Sequence, residues 1–464
     1  MDRRSFVKKA SCAAVGSTTL LNTIFNLRAI GAETHFNSSI AVSEEYKALV
    51  CITLGGGNDS FNMLIPNTTS EYNDYASSRT NISLPKDSLL PINPLNGASG
   101  DFGLHESMPN MQSLFNNGDL AFMANVGSLI EPIETKDDFY SGSIPNPLGL
   151  FSHSDMRQHW HTGLPDLRTN IGWGGRIADL LTDANQNQSI PMNISLVGSN
   201  TFQTGLESRE FVLDGVQGAL SLAGYNFDSN TSTKRSIAVD NLIDATYVDI
   251  FEKTYMNTLK DAKEGGEVFT AALDTVPDFA TQFSNTDLSE ALGMIARVIA
   301  ARNQLNVSRQ IFFIQIGGWD NHDDLLVDHA GNLTEVDNAL MEFKSALDEI
   351  NMFDNVTTFS VSDFSRKLTT NGDGSDHAWG GNSFVMGGNV IGQKVYGTYP
   401  SLSLDGDRTV NSGVLLPTMS ADEYFAELAL WYGVPSSSLV DILPNVGTFY
   451  NPMSGIPPIG FLPT

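Results

Sequence analysis

The chain has 464 residues, with 26 Lys or Arg against 53 Asp or Glu, for a formal net charge of −27. That surplus of negative charge excludes nucleic acid and anionic lipid as expected partners, because both would repel it. Cys12 and Cys51 are the only cysteines, too few for a disulfide scaffold, so stability must come from a buried apolar core, which this length can supply.

In chain order, Asp2-Arg3-Arg4-Ser5-Phe6-Val7-Lys8-Lys9 comes first and has a twin-arginine pattern. The mildly apolar stretch that follows, to about Ile30, is broken by Ser17, Thr18, Thr19, Asn22, Thr23 and Asn26 and is too polar for a stable membrane span. Small residues ending at Ala32 suit a signal peptidase. Residues 1–32 are therefore expected to be a twin-arginine signal, with residues 33–464 forming the exported, periplasmic domain. The translocase would be its partner during export. Cleavage would remove Cys12 and leave Cys51 without an intrachain partner.

Ala48–Leu54 is a continuous β-rich apolar run that stops at Gly55, the pattern of a parallel strand buried on both faces. Met108, Met111, Leu114 and Phe115 mark one face of a helix closed by Asn117-Gly118, ahead of a strand over Leu120–Val126. The stretch from about 180 to 287 is rich in Asn, Ser and Thr, contains helical pieces such as Ile243–Leu259, and reads as an insertion or cap. Gln310–Ile316 is a strand, Val336, Leu340, Phe343, Leu347 and Ile350 keep helical spacing, and Val356–Val361 is a further strand. Together they predict a right-handed parallel crossover. Ser420-Ala421-Asp422-Glu423 is a capping box for a helix running to Tyr432 and ending at Gly433. The Gly/Pro-rich tail from Thr448 is expected to wrap the surface.

Short polar clusters follow the predicted strands, and the loops at the carboxyl edge of a parallel sheet open on one side. Asp59 follows Gly55-Gly56-Gly57-Asn58, and its alternative role is to cap a helix after a tight strand exit. Asp320 and His322, spaced i, i+2 after Gly317-Gly318, can reach one cation from an extended segment, or form a solvated acidic turn. Asp363 follows the next strand directly, and His377, in a Gly/Asp-rich loop, has Asp376 beside it to orient its ring. These five are the candidate metal ligands. Arg366 is the candidate for holding an anionic ester, or else a surface ion pair. Ser152 begins a helix, where free backbone N–H groups favour an alkoxide and an incoming anion. It is the candidate nucleophile, with Ser154 second, although Ser at a helix start is also the commonest N-cap. His153, His159 and His161 cluster here and are candidates for a pocket mouth; His105 reads as a pocket or packing residue.

Taken in order, the motifs resemble the exported family DUF1501. They are the twin-arginine start, Leu54–Asn62, Leu104-His105, Ser152-His153, Gly317–His322, Ser362-Asp363-Phe364-Ser365-Arg366 and Asp376-His377-Ala378-Trp379-Gly380. The resemblance implies an alkaline-phosphatase-like α/β fold: a three-layer sandwich with a mostly parallel sheet and a metal-hydrolase site. It also places Ser152 about where the related enzymes carry their nucleophile. The family's usual Asp-Gly-Leu-Asn, Ser-Glu-Phe-Gly-Arg and Asp-His-Gly read here as Asp59-Ser60-Phe61-Asn62, Ser362-Asp363-Phe364-Ser365-Arg366 and Asp376-His377-Ala378. The expected function is hydrolysis of a phosphate, sulfate or related small anionic ester, using one or two divalent ions that could be zinc, calcium, magnesium or manganese. The alternative is a non-catalytic periplasmic binding or assembly protein that keeps the fold. Substrate and oligomeric state are not encoded in recognisable form.

Overall fold

The structure, a computed structural model, describes residues 45–97, 100–216, 218–219 and 230–463. The expected signal segment lies outside them. Among the described residues no helix is long and apolar enough to cross a membrane.

The centre is a ten-stranded mixed sheet. Its strands are β1 (Lys47–Leu54), β2 (Leu120–Gly127), β3 (Asn193–Ser195), β4 (Phe211–Asp214), β5 (Gly218–Ala219), β6 (Arg309–Ile316), β7 (Val356–Ser362), β8 (Gly381–Met386), β9 (Val395–Tyr396) and β10 (Met419–Ser420). The order is β9-β2-β8-β7-β1-β6-β3-β4-β5, with β10 also on β2. β1 runs parallel to both β6 and β7, and β8 is antiparallel to β7 and β2. The strands expected from apolar runs are present with boundaries shifted by one residue. Part of the Asn/Ser/Thr-rich stretch forms β3 and β4, which extend the sheet beside β6. The helical piece expected at Ile243–Leu259 is two helices, Asn230–Ile243 and Ile250–Leu273.

Helices cover both faces of the sheet. Ala48, Val50, Ile52 and Leu54 of β1 pack in one core with α1 (Pro109–Asn117), α2 (Asp287–Ala300) and α3 (Leu325–Glu349). On the opposite face Phe359 of β7 meets Trp173 and Tyr424, the latter on α4 (Ala421–Tyr432). This two-sided packing is why β1 is buried at every position from Ala48 to Leu54 rather than at every second one. The capping box expected at Ser420 and Glu423 is formed, and Gly433 ends α4 in the left-handed conformation. The tail does more than wrap the surface: Phe461 and Leu462 are buried, and Glu427 of α4 accepts hydrogen bonds from the backbone N–H of Ile459, Gly460, Phe461 and Leu462.

Candidate functional site

Because β1, β6 and β7 are parallel, with Leu54 opposite both Ile316 and Ser362, the segments leaving them emerge along one edge. Asp59, Asp320 with His322, and Asp363 stand on those three exits. The glycine run lets the exits touch. Gly56 has φ 126°, and a Cβ there would lie 2.5 Å from the Asp320 amide nitrogen, so the close approach is to a neighbouring loop. His377 arrives on a hairpin of Arg366–Thr370 and Ser375–His377, in which Arg366 pairs directly with His377. It thus sits in a short strand, not in the loop expected from its Gly/Asp-rich surroundings.

His322 and His377 meet Nε2 to Nε2 at 2.9 Å, and Asp320 Oδ1 lies 3.2 Å from His322 Nε2 and 3.4 Å from His377 Nε2. His153, the first residue of the helix His153–Thr162, brings its Nε2 to 3.4 Å from Asp320 Oδ2. One ligand atom from each of His153, Asp320 and His377 lies within 4.8 Å of the others. Nitrogens held about 2.0–2.1 Å from one ion are about 2.9 Å apart at a right angle and about 3.3 Å apart at the tetrahedral angle. The His322, His377 and Asp320 spacings match that range, so the donor set fits one divalent ion.

Two of the rings are fixed from behind. His377 Nδ1 lies 2.8 Å from the Phe151 carbonyl and donates to it, which leaves Nε2 as the lone-pair nitrogen. Phe151 has φ 76°, a left-handed conformation costly for a non-glycine residue, and this turns its carbonyl toward His377. His153 Nδ1 lies 2.9 Å from Asp363 Oδ2, which frees its Nε2 for the cluster. Burial holds the His377 pKa below that of a free imidazole, against the raising effect of the Phe151 hydrogen bond. For Asp320 burial acts upward, but the Arg366 hydrogen bond and charge, with His153 and His322, carry it below the usual carboxylate value.

The remaining expected residues reach the same edge largely engaged by the chain itself, although Asp59 Oδ1 has no hydrogen-bond partner. Asp363, fully buried, takes Arg157 Nε at 2.9 Å and Nη2 at 2.8 Å as well as the Gly56 amide at 3.2 Å. Asp59, also fully buried, is ion-paired with Arg79, and burial raises its pKa despite that partner. Arg366 is buried and donates to the carbonyls of Gly57, Ser375, Gly56 and Trp319 and to Asp320, so its fork faces inward rather than toward a ligand. Ser152 occupies the N-cap position without a hydroxyl-to-amide cap bond; its Oγ lies 3.1 Å from Ser154 Oγ. His159 and His161 do not line the site. Both are buried, which pushes each pKa down to about 4. His105 is buried and packs edge-on to His329.

Sequence reasoning did not assign roles to Arg157, Lys367 or Phe151. His153 and Arg157 are i, i+4 on one helix and so share a face, a signal that was available. Phe151 acts through its backbone, which no residue pattern announces. Beside the cluster an open pocket of about 290 Å³ is lined by Phe151, His322, Lys367, Asp376, His377 and Asn411 among others. Lys367 Nζ lies there 3.6 Å from Asp376 Oδ2.

Fold and site together define an α/β protein with an imidazole-rich cluster at the carboxyl edge of a mixed, mostly parallel sheet. Residues 228–424 match the family model DUF1501, described as a protein of unknown function. The likeness seen in the motifs therefore holds over that span, which includes Asp320, His322, Asp363, Arg366 and His377. No curated protein matches the chain. Among solved structures, Ps i-CgsB in complex with k-i-k-neocarrahexaose is 13% identical at a TM-score of 0.30, covering 84% of this chain and 72% of its own. A mutant of the alkaline phosphatase PafA is 13% identical at a TM-score of 0.23, covering 70% of this chain and 64% of its own. At those scores neither transfers anything to this chain.

Proposed function

We propose that this protein is an exported, metal-dependent hydrolase of phosphate, sulfate or related anionic esters, with an ion held by His153, Asp320, His322 and His377. The observation that carries the reading is the convergence of three imidazole Nε2 atoms and one carboxylate beside a pocket that contains Lys367. A divalent ion held there would polarise an ester oxygen and lower the pKa of a water. Lys367 is the cation in the pocket suited to the ester's negative charge, a role for which the inward-facing Arg366 is poorly placed. Phe151 and Asp363 hold the His377 and His153 rings in the tautomers that present Nε2 to the cluster. The attacking oxygen in this reading is a water. Ser152 is the competing candidate, although its hydroxyl contacts Ser154 on its own helix. Support for export is the Arg3-Arg4 pattern, which lies outside the described residues.

The test is to load the purified protein with divalent metal and assay aryl phosphate and aryl sulfate esters. Expected is metal-dependent release of the phenol, lost in His322→Ala and His377→Ala, with KM raised about tenfold in Lys367→Gln. A metal-bound protein inert toward both ester classes would instead support the non-catalytic binding role.

A further inference from the structure

Each of the three carboxylates that leave the parallel strands toward the site is paired with an arginine of the chain. Asp59 has Arg79, Asp320 has Arg366, and Asp363 has the two-pronged Arg157. Asp59 and Asp363 are fully buried, as are Arg79 and Arg366. The consequence differs along the series. Asp363 receives four donors from Arg157, His153 and Gly56, which leaves it no geometry for a cation. Asp59 is held against Arg79 beneath the surface. Only Asp320, about half exposed, has an oxygen facing the histidines.

We propose that Arg79, Arg157 and Arg366 take the place of additional metal cations, so that the site binds a single ion and selects an imidazole-preferring one such as zinc, cobalt, nickel or copper. This rests on the metal-dependent reading above. Calcium takes six to eight oxygen ligands and magnesium near-octahedral oxygen coordination, whereas imidazole suits the later transition ions. Here the available donors are three imidazole nitrogens and one carboxylate whose charge is shared with Arg366. Three guanidinium groups oppose the three strand-exit carboxylates, and Asp376 beside the pocket faces Lys367, so the usual electrostatic reason for a second divalent ion is weakened.

The experiment uses the full chain, stripped with chelator and titrated calorimetrically with zinc, cobalt, magnesium and calcium chlorides, with bound metal counted by elemental analysis. Expected is one equivalent of zinc or cobalt, retained in a large excess of magnesium and calcium. In His322→Ala the affinity falls by about a hundredfold or more. Arg157→Gln, a change at a partly exposed position that releases the buried Asp363, is expected to bind magnesium or manganese at least about tenfold more tightly than the parent chain. Two equivalents in the parent chain, or displacement of zinc by calcium or magnesium, overturns the inference and leaves the hydrolase reading standing. An Arg157→Gln variant that is folded by circular dichroism but unchanged in magnesium affinity overturns the role given to the arginines. Failure to bind any of the four ions removes both proposals.

Discussion

Replacing Arg79 with Met tests whether Asp59 is a neutralised core carboxylate. Both side chains are fully buried, and Asp59 Oδ1 and Arg79 Nε have no hydrogen-bond partner, so after loss of Arg79 only the weaker field of Arg366 acts on the Asp59 charge. Removing one member of such a pair typically costs about 3–5 kcal/mol, because the other charge is left uncompensated in a medium that solvates it poorly. For the roughly 400 described residues, an unfolding entropy of about 0.9 kcal/mol/K converts this to a melting temperature lower by about 3–6 °C. The sign of the pH dependence is fixed as well. Burial already raises the Asp59 pKa, and loss of Arg79 raises it further, so the folded variant binds a proton more readily than the unfolded chain. The penalty should shrink as pH falls through that raised pKa and be largest near neutrality. Asp59→Asn combined with Arg79→Met should recover much of the loss. Calorimetric melting of the parent chain, Arg79→Met, Asp59→Asn and the double variant at pH 5 and pH 8 measures this. A single variant within about 1 °C of the parent at pH 8, or no recovery in the double variant, would refute the reasoning.

Phe151→Val places a β-branched residue at φ 76°, which should displace the carbonyl from His377 Nδ1 and weaken zinc binding by about 10–100-fold, readable by competition with a chromophoric chelator. His161 is buried with a pKa of about 4, against about 6.5 unfolded. Its contribution is therefore present above pH 6.5 and lost as pH falls toward 4, by roughly 3 kcal/mol. Urea unfolding of the parent chain and His161→Phe at pH 7 and pH 4.5 should show a smaller acid loss in the variant. Glu427→Gln removes the charge from an acceptor of four tail amides, worth about 1.5–3 kcal/mol. Limited proteolysis should then release the tail near Ile459 faster than in the parent chain, and equal rates would count against the clasp.

The sequence by itself determined the parts whose cause is local. Apolar runs at Ala48–Leu54 and Gln310–Ile316 have to be buried strands because side chains on both faces meet a core, and the Ser420–Glu423 box caps its helix with side chains three residues apart. It also determined that Asp59, Asp320, His322 and Asp363 share one edge, since parallel strands send their exits the same way, whereas His377 reaches that edge on the Arg366–His377 hairpin. Tertiary structure alone decided which of them keep a free lone pair. Arg79 meets Asp59 from 20 residues away, Arg157 meets Asp363 across 206, and Arg366 meets Asp320 across 46. The Phe151 carbonyl reaches His377 over 226. A carboxylate looks the same in a sequence whether a guanidinium will cover it or a cation could reach it. The difference lies in charges brought within a few ångströms by folding, where low dielectric and scarce water make each partner count.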